Sequence, residues 1–296
     1  MSKKQSLNFQ IKNEFKSRHL YGVSKHNASE DEKQKYIFSS RTLDNYQEVG
    51  REFAKFCKQE HQGESQNIEQ CKPYAAEYLQ YRIERGLSPY TIARDAAALG
   101  KLYNCDYREF GVELPKRQRE QITRSRDLER NLRGFSEKNN QKAVDMARCT
   151  GLRREELKHI KAKDFYEKDG KWFVHVPKTY AKGGRERDVE LQYSRNPKVV
   201  ERTINFVKSE QEKGNTENLV IVRDRMPVHY YRHEFAKAMY ENIARDPEDI
   251  ERSECWCCTK SMYGTVLDRE AMAEVSLALG HNRLDVVVGY LTSEIN

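Results

Sequence analysis

Apolar residues at three- and four-residue intervals are the feature that most constrains the fold of this chain. The spacing is kept by Leu43, Tyr46, Val49, Phe53, Phe56 and Cys57. It predicts a helix over residues 42–61 with one apolar stripe, and such a stripe must pack against other elements to leave water. This part of the chain is therefore expected to form a helical core.

Proline and glycine residues mark two further helices close by. Pro73 suits the first turn of a helix and Gly86 ends it. Ser88-Pro89 supplies an N-cap and a first-turn proline for a third helix, which runs to about Tyr103. Together the three helices predict a small helical domain over residues 42–110.

An alternating pattern appears only further along the chain. Residues 172–176 alternate Trp, Val and Val with Phe and His, which indicates a strand, and Val189 and Leu191 mark its partner. Helical patterns cover residues 136–149, 197–213, 230–244, 269–279 and 285–292. We therefore predict a second domain over residues 135–296 and a fold that is mainly α with a small antiparallel β-sheet (α+β).

Two stretches lie outside these domains. Residues 1–41 are polar and lysine-rich, and they form either an arm or a short helix. Residues 111–134 have few core-type side chains and are predicted to be a basic linker. Such a linker either clamps a phosphate backbone or serves only as a solvated connector. Its positive charges are Lys116, Arg117, Arg119, Arg124, Arg126, Arg130 and Arg133.

Composition narrows the class of protein. A length of 296 residues suits two domains, and a net charge of +7 favours a polyanionic partner. We expect no membrane association, because the apolar runs are too short to span a bilayer and the N-terminus is too polar for a signal peptide. Seven cysteines without regular spacing predict reduced thiols and a cytoplasmic protein.

Six residues of the C-terminal half form a candidate constellation of chemical groups. Two arginines, a lysine and two histidines would make a cationic cage suited to a phosphodiester, and a tyrosine near the C-terminus is a candidate nucleophile. The planar fork of arginine can donate two hydrogen bonds to phosphate oxygens. Each motif is weak alone, but together they occur in a consistent order. The residues are Arg153, Lys182, His229, Arg232, His281 and Tyr290.

The order and local context of these residues resemble the tyrosine recombinase (phage integrase) family. The resemblance is carried by Thr150-Gly-Leu-Arg153, Lys182-Gly-Gly-Arg-Glu-Arg-x-Val-x-Leu191, His229-x-x-Arg-His-x-Phe-Ala236 and Leu279-Gly-His281 with Tyr290 nine residues on. Residues 86–93 also look like the entry to the third helix of the family's core-binding domain. The resemblance covers roughly residues 40–292.

The resemblance implies a role for each matched residue. Arg153 and Arg232 would clamp the scissile phosphate, Lys182 would be the general acid for the 5′-oxygen, and Tyr290 would be the nucleophile. His229 would be a proton-transfer or hydrogen-bonding imidazole, and His281 would be a further member of the cage. Glu156 and His233 would support the cage.

The implied reaction is site-specific DNA recombination through a 3′-phosphotyrosyl intermediate. It would need no metal and no other cofactor. The expected partners are double-stranded DNA with a specific core site and further copies of the chain, forming a tetramer on two DNA sites. Integration or excision of a mobile element is the expected role. The alternatives are a type IB topoisomerase, a telomere-resolving enzyme, and a DNA-binding regulator whose active site has decayed.

DNA contacts are expected from both the third predicted helix and the linker. The expected DNA-binding residues are Ser88, Tyr90, Thr91, Arg94, Lys116, Arg117, Arg119, Arg124 and Arg126. Near Tyr290 we also expect Gly280 to end one helix and Asp285 to cap the next.

Two features depart from the family pattern. The interval between Arg232 and His281 is about twice the usual one, so residues 244–269 are interpreted as an insertion that forms a surface hairpin or loop. It contains Cys255-Trp-Cys-Cys258, whose spacing differs from that of common zinc sites, and no metal is predicted. Only residues 291–296 follow Tyr290, which puts in doubt the docking of a long C-terminal helix onto a neighbouring subunit.

Overall fold

The computed structural model describes residues 5–23, 25–62, 67–117, 134–259, 262–281 and 283–291. The chain divides into two compact units, Met1–Gln121 and Ile122–Asn296. The first is helical, and the second combines helices with small antiparallel sheets. The predicted mainly α, α+β fold class is confirmed.

In its described residues, the first unit contains the three predicted helices and three further α-helices. Ser88 caps the last helix, since its hydroxyl accepts a hydrogen bond of 3.2 Å from the Thr91 amide, and Pro89 lies in the first turn. The helices are α1 (Leu7–Ser17), α2 (Glu30–Lys35), α3 (Ser40–Glu60), α4 (Ile68–Cys71), α5 (Tyr74–Glu84) and α6 (Pro89–Tyr103).

The polar N-terminal stretch, for which the sequence allowed either an arm or a short helix, contains helix α1. Ile11 and Phe15 are buried, and they belong to the same apolar core as Phe53 of α3. Gly50 permits this contact, because a Cβ atom there would lie 2.5 Å from the Cγ2 of Ile11. The first unit thus builds its core from residues on both sides of position 42.

The second unit contains the remaining helices and strands. The helices are α7 (Gln141–Thr150), α8 (Arg154–His159), α9 (Pro197–Glu212), α10 (Val228–Ile243), α11 (Arg269–Ala278) and α12 (Leu284–Leu291). The strands are β1 (Phe165–Lys168), β2 (Lys171–Val176), β3 (Arg187–Glu190), β4 (Cys255–Cys257) and β5 (Val266–Asp268). Strands β1, β2 and β3 pair in that order, all antiparallel, and the predicted pairing is confirmed by Val174 opposite Val189.

Helix α7 begins later than the predicted position 136. Residues Lys138–Asn140 form a 3₁₀ turn, and the α-helix starts at Gln141. Two consecutive asparagines explain the delay, because Asn competes for backbone hydrogen bonds and is a weak helix former. Helix α10 packs against α7, and its residues Phe235 and Ala236 are fully buried in the apolar core of the second unit.

The interpreted insertion contains the hairpin β4–β5. Cys255 pairs with Asp268 and Cys257 with Val266. Asp268 is buried and caps α11, and its carboxylate accepts hydrogen bonds of 2.9 and 3.0 Å from the guanidinium of Arg245. This ion pair therefore joins Arg245, which is exposed just after α10, to the point where β5 ends and α11 begins. Across the described residues, no helix is long and apolar enough to cross a membrane.

Candidate active site

The C-terminal end of α11 is a point where arginine side chains converge. A helix C-terminus carries partial negative charge and leaves carbonyl groups without intrahelical partners, so it attracts cations. The carbonyls of residues 278–280 all accept hydrogen bonds from guanidinium groups. Arg187 donates to Ala278 at 2.8 Å, Arg232 donates to Leu279, and Arg153 and Arg185 each donate to Gly280 at 3.2 Å.

Gly280 is required at this point for two reasons. Its φ of +62° lies in the left-handed region, as expected of the glycine that ends a helix. A Cβ atom there would lie 3.0 Å from Nη1 of Arg187 and 3.2 Å from Nη1 of Arg153. The predicted helix end is confirmed, and the same glycine leaves the space in which the two guanidinium groups lie.

Arg153 is held by Glu156, as the resemblance implied. Arg153 directly precedes α8, and Glu156 lies in its first turn. The carboxylate accepts a hydrogen bond of 3.0 Å from Nη1 of Arg153 and one of 2.8 Å from its backbone amide. This closed ring fixes the backbone and the guanidinium of Arg153 together.

Glu156 is ionised although it is fully buried. Burial alone would raise its pKa, but hydrogen bonds and charge from Arg187, together with the charge of Arg153, lower the pKa of Glu156 to about 2. A carboxylate that stays charged at neutral pH can hold both guanidinium groups.

Arg232 is a buried cation at the centre of the group. It lies in α10, is 1% exposed, and donates to the carbonyls of Gly151 and Leu279. Burial lowers the pKa of Arg232 to about 10, with the phenol of Tyr290 opposing the shift, so the group remains charged at neutral pH. Its Nε atom has no hydrogen-bond partner among the described residues.

His281 lies next to Arg232, just after the end of α11. Its Nε2 atom is 3.2 Å from Nη2 of Arg232. Burial and the positive charges of Arg232 and Arg153 lower the pKa of His281 to about 4. The imidazole is therefore neutral at physiological pH.

Tyr290 of α12 lies against three of these groups. The centre of its ring is 5.9 Å from the guanidinium carbon of Arg232, 5.1 Å from the His233 ring and 5.9 Å from the His281 ring. Nε2 of His233 is 3.0 Å from the carbonyl oxygen of Gly289, so this ring contacts the backbone that carries Tyr290. The tyrosine is partly exposed, which leaves it accessible from solvent.

His229 and Lys182 complete the set at its exposed side. His229 lies one helical turn before Arg232, and its side chain is exposed. Desolvation by neighbouring atoms and the positive charge of Arg232 lower the pKa of His229, and the charge of Lys182 contributes to this shift. Lys182 itself is exposed in the connection between β2 and β3. Arg153, Arg232, His281 and Tyr290 thus lie together, and Lys182 is near enough to His229 for its charge to affect the pKa of that imidazole.

The predicted cap at Asp285 is wrong. Helix α12 begins at Leu284, so Asp285 lies inside the first turn. Its carboxylate instead accepts hydrogen bonds from Arg283, one of them at 2.9 Å from Nε. A carboxylate at this position still interacts favourably with the helix dipole.

The expected DNA-binding residues are only partly described. Ser88 and Tyr90 are exposed at the start of α6, and Thr91 and Arg94 are partly exposed on it. Lys116 and Arg117 are exposed before the end of the described range. The predicted contacts at Arg119, Arg124 and Arg126 lie outside the described residues.

Metal-binding side chains do not cluster in the described part of the chain. No group of three or more His, Cys, Asp or Glu residues there could hold a metal ion. Of the cysteines in the interpreted insertion, Cys257 is exposed and Cys258 is buried. The guanidinium groups of the site are of a kind that can bind a phosphate directly.

Arg187 belongs to this site but was not selected from the sequence. It is 8% exposed on β3 and donates to both carboxylate oxygens of Glu156, at 2.8 and 3.2 Å. A signal was available: side chains two apart in a strand share a face, and the apolar Val189, two residues after Arg187, was predicted to lie in the partner strand. A charged residue on the buried face of a strand indicates a partner in the interior.

Comparisons with known proteins agree with this architecture. Searches with protein-family models and against curated proteins find no match. Among solved structures, the chain is similar to the XerH site-specific recombinase bound to difH substrate in a pre-cleavage complex. The identity is 15%, the match covers 96% of this chain and 91% of that chain, and the TM-score is 0.51.

The chain is also similar to the Tn1549 transposon integrase in complex with transposon right end DNA. That match has 12% identity, covers 95% of this chain and 94% of the other, and has a TM-score of 0.47. The chain has the tyrosine recombinase fold, as the similarity to XerH shows.

Proposed function

We propose that this protein cuts and rejoins DNA strands through a covalent bond to Tyr290. The observation that carries the proposal is the contact of the Tyr290 ring with the buried cation of Arg232 and the ring of His281. A phenol with a pKa near 10 is a weak nucleophile at neutral pH unless nearby cations favour its phenolate form. The site supplies those cations next to a tyrosine that solvent can reach.

The cage would act mainly on the phosphate. An attack on a phosphodiester concentrates negative charge on its non-bridging oxygens, and fixed donors stabilise that charge without reorganising. Arg153 is held by Glu156, and Arg232 is held by the carbonyls of Gly151 and Leu279. Both guanidinium groups are therefore oriented before DNA binds.

The proton transfers follow from where the remaining groups lie. Tyr290 gives its phenolic proton to a base, for which His229 is the candidate, attacks phosphorus, forms a 3′-phosphotyrosyl bond and expels the 5′-oxygen, which takes up a proton. Lys182 is the candidate acid, because it lies on an exposed connection from which a long amine side chain can reach the leaving oxygen. The 5′-hydroxyl of a partner strand reverses the reaction, so the number of phosphodiester bonds is conserved.

The biological role proposed is site-specific recombination on double-stranded DNA, with integration or excision of a mobile element as the outcome. The solved structures with a similar fold include a site-specific recombinase and a transposon integrase, each bound to DNA. We further propose that the protein acts as a tetramer on two DNA sites. The basic composition of the chain supports a DNA partner.

The test is capture of the covalent intermediate. A pool of nicked duplexes with a randomised core is incubated with the full chain, because loss of the short strand beyond the nick traps the adduct. Adducts are separated under denaturing conditions, and their DNA is sequenced to obtain the target site. Recombinant products between two such sites support recombination, whereas relaxation of supercoils without exchange supports a topoisomerase.

A further inference from the structure

Arg187 makes an unusually complete set of contacts for a strand residue. Its Nη1 and Nη2 atoms donate to the two carboxylate oxygens of Glu156, at 3.2 and 2.8 Å. Its Nε atom donates to the carbonyl of Ala278 at 2.8 Å. One guanidinium therefore joins strand β3, helix α8 and the C-terminal end of helix α11.

Glu156 is shared by two arginines, which a simple structural ion pair does not require. Its Oε1 atom accepts from Arg153 at 3.0 Å and from Arg187 at 3.2 Å. The two guanidinium groups also lie together against Gly280. Placing two like charges this close in a buried site costs free energy, so the arrangement is stable only because the carboxylate and the helix end neutralise both.

The consequence for Arg153 is geometric. With Arg187 present, each oxygen of Glu156 accepts two hydrogen bonds, one from Arg153 and one from Arg187. Without Arg187, each oxygen keeps only its bond from Arg153, so the carboxylate is held less firmly and the plane of the Arg153 guanidinium is less fixed. The carbonyl of Ala278 would also lose its donor, two residues before Gly280, where Arg153 makes its other contact.

We propose that Arg187 is a positioning residue for the strand-cleavage reaction, which orients Arg153 through Glu156 and through the end of α11. This inference rests on the function proposed above. Arg187 does not touch the DNA itself in this account. Its effect on the reaction therefore passes through Arg153, and it should disappear when Arg153 is absent.

A double-mutant cycle tests this dependence. The rate of adduct formation on the trapped site is measured in a single turnover with saturating DNA for wild type, Arg187→Met, Arg153→Ala and the double variant. Because the trap is irreversible, slow variants remain measurable. In the otherwise wild-type protein, we expect Arg187→Met to slow adduct formation by about 10- to 100-fold. In the Arg153→Ala background it should slow the reaction by no more than about threefold.

A matched control separates positioning from stability. Arg148 of α7 is also a partly buried arginine with two carboxylate partners, Glu234 at 2.8 Å and Glu137 at 3.1 Å, and it does not contact Glu156. Arg148→Met should lower the melting temperature as Arg187→Met does, yet change the adduct rate by about twofold or less. Arg187→Lys, which keeps the charge but lacks the fork, serves as a second variant if the Met variant does not fold.

The outcomes separate the two proposals. Equal effects of Arg187→Met with and without Arg153 would overturn the positioning role while leaving the proposed function intact. An equally slow Arg148→Met would overturn it too, because loss of stability would then explain the rate. If the wild-type protein forms no adduct, or if Tyr290→Phe forms as much adduct as wild type, the proposed function is wrong. The positioning role is then wrong as well.

Discussion

Nη2 of Arg232 lies 3.2 Å from Nε2 of His281, and this contact fixes the protonation of the imidazole. A guanidinium can only donate hydrogen bonds, so the Nε2 atom must accept. The single ring proton of neutral His281 is then on Nδ1. His281 is thus a neutral hydrogen-bond donor, and protonating it would place two cations face to face.

The first prediction concerns the stability of the second unit in acid. The pKa of His281 falls from 6.5 in the unfolded chain to about 4 in the folded protein. Between pH 6.5 and 4, His281 is therefore protonated in the unfolded state but not in the folded state. Folding stability is fully present above pH 6.5 and declines as the pH falls toward 4, by at most about 3 kcal/mol from this group.

Denaturant unfolding at a series of pH values checks this prediction. His281→Asn should reduce the loss of unfolding free energy between pH 6.5 and 4. His175 is a control of opposite sign, because a hydrogen bond to Asp188 raises its pKa. Its contribution is present below pH 6.5 and is lost as the pH rises, so His175→Asn should not reduce the acid sensitivity. Identical pH profiles for wild type and His281→Asn would contradict the assignment.

The second prediction is that Gly280→Ala damages both stability and activity. The new methyl group meets the guanidinium groups of Arg187 and Arg153, and the backbone is held at φ +62°. We expect a loss of about 2–4 kcal/mol in unfolding free energy from strain and crowding. Gly214→Ala is the control, since its φ is +66° but nothing lies within 4 Å of its Cβ position.

The control should therefore show only the cost of the backbone, about 1 kcal/mol, and normal adduct formation. Circular dichroism in denaturant gives the stabilities, and the trapping assay gives the activities. Equal effects of the two substitutions would show that the arginines do not need the space at Gly280.

The third prediction tests Lys182 as the acid. Lys182 is exposed, so Lys182→Ala should leave the melting temperature unchanged. It should slow strand cleavage by about 10²- to 10⁴-fold on normal DNA. A substrate whose leaving 5′-oxygen is replaced by sulfur needs no acid, because a thiolate leaves unprotonated. Failure of that substrate to restore the rate would assign the lysine another role.

The fourth prediction concerns the fork of Arg153. Lysine at this position keeps a positive charge but cannot donate to both Glu156 and a phosphate in one plane. Arg153→Lys should lower the rate of adduct formation by about 10²- to 10³-fold while DNA affinity changes little. Adduct trapping and a mobility-shift titration on the same duplex separate the two quantities. A large loss of affinity with an unchanged cleavage rate would make Arg153 a DNA-binding residue only.

Much of the fold was predictable because its signals are local. The stripe that includes Val49 and Phe53 buries as predicted in α3, and the alternation around Val174 marks β2. The sequence did not decide whether α1 is a helix, because Ile11 and Phe15 are isolated apolar residues among polar ones. Their burial also depends on Gly50, which lies in a later helix. Contacts of this kind are invisible to local periodicity.

The residues of the site were more predictable from the sequence than the hydrogen bonds and ion pairs that join them. Motif order selected Arg153, Arg232 and His281, and the fold brings them to one helix end. The contact between Arg187 and Glu156 joins residues 31 positions apart, and the strand pattern around Arg187 indicates a partner in the interior without showing which residue it is. The cap expected at Asp285 failed because the helix starts one residue earlier, which is within the usual uncertainty of helix ends.

Identification of the residue that becomes linked to DNA tests the central claim most directly. The trapped adduct is digested with protease and nuclease, and the modified peptide is sequenced by mass spectrometry. The account predicts a nucleotide joined through its 3′-phosphate to Tyr290 and no adduct for Tyr290→Phe, which should still bind DNA. An adduct at another residue, a 5′-phosphate linkage, or undiminished adduct in Tyr290→Phe would contradict it.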